Sequence, residues 1–170
     1  MHINYDNLEV GDIILCHGKS LYNRFVRWWF GTWSGHAMLY LGDGHVLDVN
    51  FRTRIVELEE IKKYFKALRF YRFPGGLADC RKQKILEESA GRIGTFYDIP
   101  GAVWHWIKDL LRLKIEKNPF DISRWDYCYE SVIDIYRSCG IILFGSLNPA
   151  DVSPRLFEER LLFEVVGFFD

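Results

Sequence analysis

A cysteine, a histidine and an aspartate stand where nucleophilic chemistry could use them. Cys128 lies in "DYCYESVIDIYRSCG", at the first turn of a segment whose Cys128, Val132, Ile135 and Cys139 fall on one helical face. The unpaired backbone N–H groups and the dipole at that end of a helix stabilise an anion, and the thiolate is the nucleophilic form of a thiol. His36 opens the apolar run of "SGHAMLYLGDGHVLDVN", residues 34–50, and Asp48 sits inside the next one. Either group, buried without a partner, would cost free energy. Asp43-Gly44 between them is a strong hairpin signal, because a type I′ turn needs positive φ at both positions. Such a turn brings a strand-start His close to a strand-end Asp. A carboxylate there can hold the second nitrogen of the imidazole. The three residues read as a Cys128–His36–Asp48 triad. The remaining histidines, His2, His17, His45 and His105, read as surface or packing residues.

The surrounding elements must position these side chains. "GDIILCH" reads as a strand, and "SLYNRFVRWWFG" as a helix capped by Ser20, with Leu21, Phe25, Trp28 and Trp29 spaced along one face. "HAMLYLG" and "HVLDVNF" form the hairpin; "TRIVEL" and "ALRFYRF" are further strands around a short helix near "EEIKKYF". Pro74-Gly75-Gly76 breaks the chain, and residues 78–92 are patterned as a helix that Gly94 ends. "DIPGAVWHWIKDLLRLKIEK" is a second helical stretch, with Trp104, Ile107, Leu111 and Ile115 near one face. It is either packed on the sheet or set beside the cleft as a lid or membrane-surface helix over residues 100–115. After the Cys128 helix come a turn with a short helix in "NPADVSPRLFEE" and a last strand in "LLFEVVGFF". Strands first and helices later predict an α+β domain with an antiparallel sheet.

The totals narrow the class. A chain of 170 residues, 49% hydrophobic and 26% charged, fits one globular domain, residues 1–170. A net charge of −1 gives no argument for nucleic-acid binding. Aromatic residues make up 16%, enough for a filled core or for an aromatic-lined groove. No apolar run approaches the roughly 20 residues of a membrane span, and "HINYDNLEVGD" has no leader pattern, so the expected location is cytoplasmic. Cys16, Cys80, Cys128 and Cys139 lack CxxC spacing; unlinked thiols are expected, with no metal site and no cofactor.

Taken together, "EVGDIIL", "SGHAMLYLGDGHVLDVN", "GTFYDIP", "YCYESVIDIY" and "NPADVSPRLF" make the chain resemble the permuted papain-fold peptidases and amidases of the YiiX type, within the NlpC superfamily. The pieces span nearly the whole chain in that family's order, with the His hairpin ahead of the Cys helix. The resemblance implies a papain-like antiparallel sheet or open barrel packed with helices. It puts the nucleophile on Cys128, the base on His36, the third polar residue on Asp48 and an active-site tyrosine on Tyr97. Where relatives have "CSEL" this chain has "CYES": Glu130 is kept, and Tyr129 replaces a serine on the expected oxyanion or substrate side. Where relatives have "SHVGI", Gly35 is inserted before His36.

The expected function is thiol-dependent hydrolysis of an amide bond in a peptide or small amide, through a thioester. The Cys128 N–H and the Tyr97 hydroxyl are expected at the oxyanion. Two other classes stay open. One is a thiol acyltransferase or hydrolase acting on lipid or acyl esters, as in the lecithin retinol acyltransferase-like branch, whose nucleophile motif reads "NCEHF". The other is a non-catalytic module that holds a peptide or glycan. Neither the substrate nor the oligomeric state is encoded in a motif.

Overall fold

A computed structural model describes residues 7–98, 103–104, 107 and 125–169. Its centre is a six-stranded antiparallel sheet. β1 (Ile13–Gly18) is buried on both faces, as its unbroken apolar run requires. It pairs with β2 (His36–Gly42) on one side and β5 (Phe65–Arg72) on the other. β3 (His45–Val49) and β4 (Thr53–Glu57) extend the sheet beyond β2, and β8 (Glu164–Phe169) extends it beyond β5. The order is β4-β3-β2-β1-β5-β8. The Asp43-Gly44 turn has φ of 48° and 74°, as its hairpin chemistry demands, and it sets Met38 opposite Asp48. A short parallel pair lies outside this sheet: β6 (Phe96–Tyr97) beside β7 (Trp125–Asp126).

Helices cover the sheet. α1 (Leu21–Phe30) follows β1, α2 (Leu58–Lys62) follows β4, and α3 (Asp79–Gly91) follows β5. α4 (Cys128–Ser138) and α5 (Pro154–Arg160) complete the described helices, with a single 3-10 turn at Pro149–Asp151 between them. On one face of the sheet Ile13, Leu15, Leu39 and Leu47 pack against Val132, Ile135 and Tyr136 of α4. On the other, Ile14, Met38, Tyr40 and Val46 pack with Leu58 and Ile61 of α2. Each such side chain contributes about 1.5–3 kcal/mol on burial. These contacts fix α4 against β2, the relationship on which the site depends.

The structure gives the face of α1 its direction. Ser20 does cap α1, its hydroxyl accepting the Asn23 N–H at 3.1 Å. The face carrying Leu21, Phe25 and Trp28 points outward, however: Leu21 is 79% and Trp28 74% exposed. Asn23, Val26 and Phe30 point inward. Helical spacing identifies a face but not its direction, and here a polar Asn lies on the buried side. All four cysteines are free. Among the described residues no helix is long and apolar enough to cross a membrane. The 100–115 helix lies outside the described residues apart from Val103, Trp104 and Ile107.

Candidate active site

His36 is the first residue of β2, paired in register with Cys16 of β1. Side chains alternate along a strand, so His36 shares its face with Met38, the residue opposite Asp48. That diagonal brings His36 Nε2 to 2.8 Å from Asp48 Oδ1. The other carboxylate oxygen, Oδ2, accepts from Arg54 Nη2 at 3.2 Å and Nε at 3.3 Å. Asp48 is 2% exposed, and both of its oxygens are satisfied. The imidazole lies parallel to the Phe65 ring, centroids 6.0 Å apart.

Cys128 begins α4 and is 3% exposed. Two contacts hold that helix start. The Glu130 carboxylate accepts the Tyr127 N–H at 3.4 Å, and the buried Tyr127 hydroxyl donates to the Pro149 carbonyl at 3.2 Å and to that of Val152. The first turn leaves N–H groups without intrahelical acceptors around the thiol. His36 is also coupled electrostatically to Cys128, whose charge favours the imidazolium.

The electrostatics follow from this arrangement. Burial alone disfavours the imidazolium, but the Coulombic interaction with Cys128 and the hydrogen bond to Asp48 outweigh it. The His36 pKa is raised to about 10. Burial likewise opposes the Asp48 charge, yet His36 and Arg54 prevail and its pKa is lowered. Cys16, fully buried beside His36, is pushed well above the ordinary thiol range by burial and by the charges of Asp48 and Cys128. It remains a neutral core thiol.

The segment ahead of His36 is pinned from a distance. Glu158 of α5 accepts the Trp33 N–H at 2.9 Å and the Ser34 N–H at 2.6 Å, and the Ser34 hydroxyl also donates to it. Ser34 Oγ meets the Tyr129 hydroxyl at 2.9 Å. Tyr129 is therefore a core residue beneath the site, packed on Phe157, and not part of the described cavity wall. Glu130 is buried and accepts from the backbone at the helix start. The Tyr97 side chain lies outside the described residues; its backbone pairs with Asp126, two residues before Cys128.

A cavity of about 710 Å³ opens beside the imidazole, lined by His36, Asp48, Asn23, Phe51, Ile61 and Phe65 among others. Asn23 was not foreseen, although the sequence held a clue to it. The inserted Gly35 is where the Asn23 side chain lies: an added Cβ there would be 2.7 Å from its Cγ and 2.8 Å from its backbone oxygen.

Among solved structures, the chain is similar to one described as metalloprotein yiiX from Escherichia coli O157:H7, DUF1105. The TM-score is 0.70 at 16% identity, over 94% of this chain and 96% of that one. The two chains share one fold. It is the permuted papain-like arrangement, an open antiparallel sheet packed against helices. No protein-family model and no curated protein matches the sequence. That protein is described as a metalloprotein. Among the described residues no three His, Cys, Asp or Glu side chains converge in a group able to hold a metal ion. Asp48 is already bound to His36 and Arg54.

Proposed function

We propose that the chain is a cysteine-dependent amide-bond hydrolase, a peptidase or amidase. Cys128 is its nucleophile, His36 its general base and acid, and Asp48 the residue that orients the imidazole. The observation that carries this reading is the placement of His36: its Nε2 lies 2.8 Å from Asp48 Oδ1, and the ring is coupled electrostatically to Cys128 at the helix start.

The Cys128 proton passes to His36, and the sulfur adds to the substrate carbonyl carbon, sending the carbonyl electron pair to oxygen. The Cys128 N–H, at a helix N-terminus, faces the resulting oxyanion. Collapse breaks the C–N bond; the amine leaves with the proton of the His36 imidazolium and a thioester remains. Water then gives a proton to neutral His36 as its oxygen adds to the thioester carbon. Expulsion of the Cys128 thiolate releases the carboxylic acid, and His36 again holds the proton.

The first experiment is hydrolysis of a panel of peptide and small-amide substrates by the protein and its Cys128→Ala and His36→Ala variants. Both substitutions should abolish turnover; turnover surviving Cys128→Ala sinks the reading. The apolar cavity wall at Val49, Phe51, Ile61 and Phe65 supports a second reading, in which the same thioester chemistry acts on acyl esters. Turnover of acyl esters without turnover of amides would select it.

A further inference from the structure

One largely buried side chain on the wall of the cavity beside His36 has a donor without a protein acceptor among the described residues. Most of the cavity's polar wall is committed. Asp48 is bound to His36 and Arg54, Ser20 Oγ accepts the Asn23 N–H, and Asn50 Oδ1 accepts the Phe51 N–H. Asn23 is different. It is 6% exposed, and its Oδ1 accepts the Gly18 N–H at 2.9 Å, which decides which end of the amide is the donor. Among the described residues its Nδ2 has no protein acceptor.

The amide is also clamped. An added Cβ at Gly18 would lie 2.6 Å from Nδ2, and one at Gly35 would lie 2.7 Å from Cγ. Two residues without side chains thus close around it, and one of them immediately precedes His36. The side chain is more than nine-tenths buried and its donor end is held in one orientation. That end borders a space roomy enough for a ligand. Around it the wall is apolar at Val49, Phe51, Ile61 and Phe65, and its cation Arg54 lies on Asp48. A largely apolar wall with a donor held in place suits an uncharged acyl group.

We propose that Asn23 is a substrate-binding residue whose Nδ2 donates to the carbonyl oxygen of an acyl group, with the apolar part of that group filling the cavity beside His36. This rests on the Cys128 hydrolase reading. It assigns the substrate class, an acyl donor with an apolar substituent of several carbons, and the residue that recognises it.

The test compares two reactions of Cys128 in the full chain, followed by intact mass. With p-nitrophenyl butyrate the sulfur–acyl bond forms, the ester C–O bond breaks, p-nitrophenolate leaves with the electron pair, and the thiol proton passes to His36. Methyl methanethiosulfonate has no carbonyl and reports the thiol alone. Asn23→Ala removes donor and acceptor; Asn23→Asp keeps an acceptor for the Gly18 N–H and removes the donor. Both should slow acylation roughly 10- to 100-fold relative to methanethiosulfonate labelling. The unsubstituted chain should react faster with the butyrate than with the acetate ester.

Acylation that falls only in step with methanethiosulfonate labelling, or does not fall, makes Asn23 a packing residue and overturns the assignment while the hydrolase reading stands. A Cys128 that labels but accepts neither ester overturns the substrate class. A Cys128 inert to every reagent overturns the hydrolase reading and this proposal with it.

Discussion

His36 and Asp48 face each other across a hairpin, Nε2 to Oδ1 at 2.8 Å, and Arg54 holds the second carboxylate oxygen. Asp48 is thus fixed from both ends and cannot turn away from the imidazole. Asp48→Asn keeps the shape and removes the charge. It should lower turnover by up to roughly 10⁴-fold without abolishing it, because an orienting group is weakened while nucleophile and base remain. His36 ring resonances followed by NMR should titrate below the value of about 10 set by the native surroundings. An unchanged titration would mean that Asp48 does not act on His36.

The raised His36 pKa has a stability consequence with a definite sign. In the unfolded chain an imidazole titrates near ~6.5, and in the fold it titrates at about 10. The folded state therefore binds the proton more tightly. Its contribution is complete below pH ~6.5 and is lost as pH rises through about 10. Thermal unfolding from pH 6 to pH 10 should show a falling midpoint whose slope is shallower in His36→Gln. Parallel slopes in the two proteins would refute the linkage.

The hairpin was legible because its chemistry is local. Asp43-Gly44 permits only a tight turn, and period-2 alternation then puts His36 and Asp48 on one face. The helix start at Cys128 was equally legible, from one apolar face and the stop at Gly140. What escaped depends on contacts distant in sequence. Glu158 reaches Ser34 across 124 residues, and nothing in "PRLFEE" marks it. The resemblance put Tyr129 on the oxyanion or substrate side, whereas its hydroxyl meets Ser34 in the core. Gly35 was visible as an insertion, yet its reason is the volume of Asn23, on an element whose buried side the spacing alone does not give.

Gly35→Ala puts a methyl group against Asn23 from two directions, its Cγ and its backbone oxygen. It should destabilise the protein by about 1–3 kcal/mol, the range for overpacking a filled site. Asn23→Ala should recover part of that loss, since it relieves the side-chain clash and leaves the backbone one. A double-mutant cycle by chemical denaturation measures the coupling, and additive losses would show that the two positions do not touch.

Glu158 should behave as a positioning residue for His36. Glu158→Ala strands the Trp33 and Ser34 N–H groups and the Ser34 hydroxyl, at about 1–3 kcal/mol in denaturation experiments. Loosening the residues before His36 should also slow modification of Cys128 by methyl methanethiosulfonate at neutral pH. Glu158→Gln retains acceptor capacity and should restore much of both. Loss of stability with no change in labelling would confine Glu158 to a scaffold role.

The direction of α1 is open to a sharp comparison. Trp28 is large but lies mostly in solvent, whereas Phe30 is in the core at the end of the same helix. If the aromatic face points outward, Trp28→Ala should change stability by about 0.5 kcal/mol or less, as a surface substitution does. Phe30→Ala should cost about 3–5 kcal/mol through the cavity it leaves. Chemical denaturation of the two variants decides the matter. A Trp28 loss as large as that of Phe30 would turn the helix over, taking Asn23 away from Gly18 and Gly35 and out of the cavity beside His36.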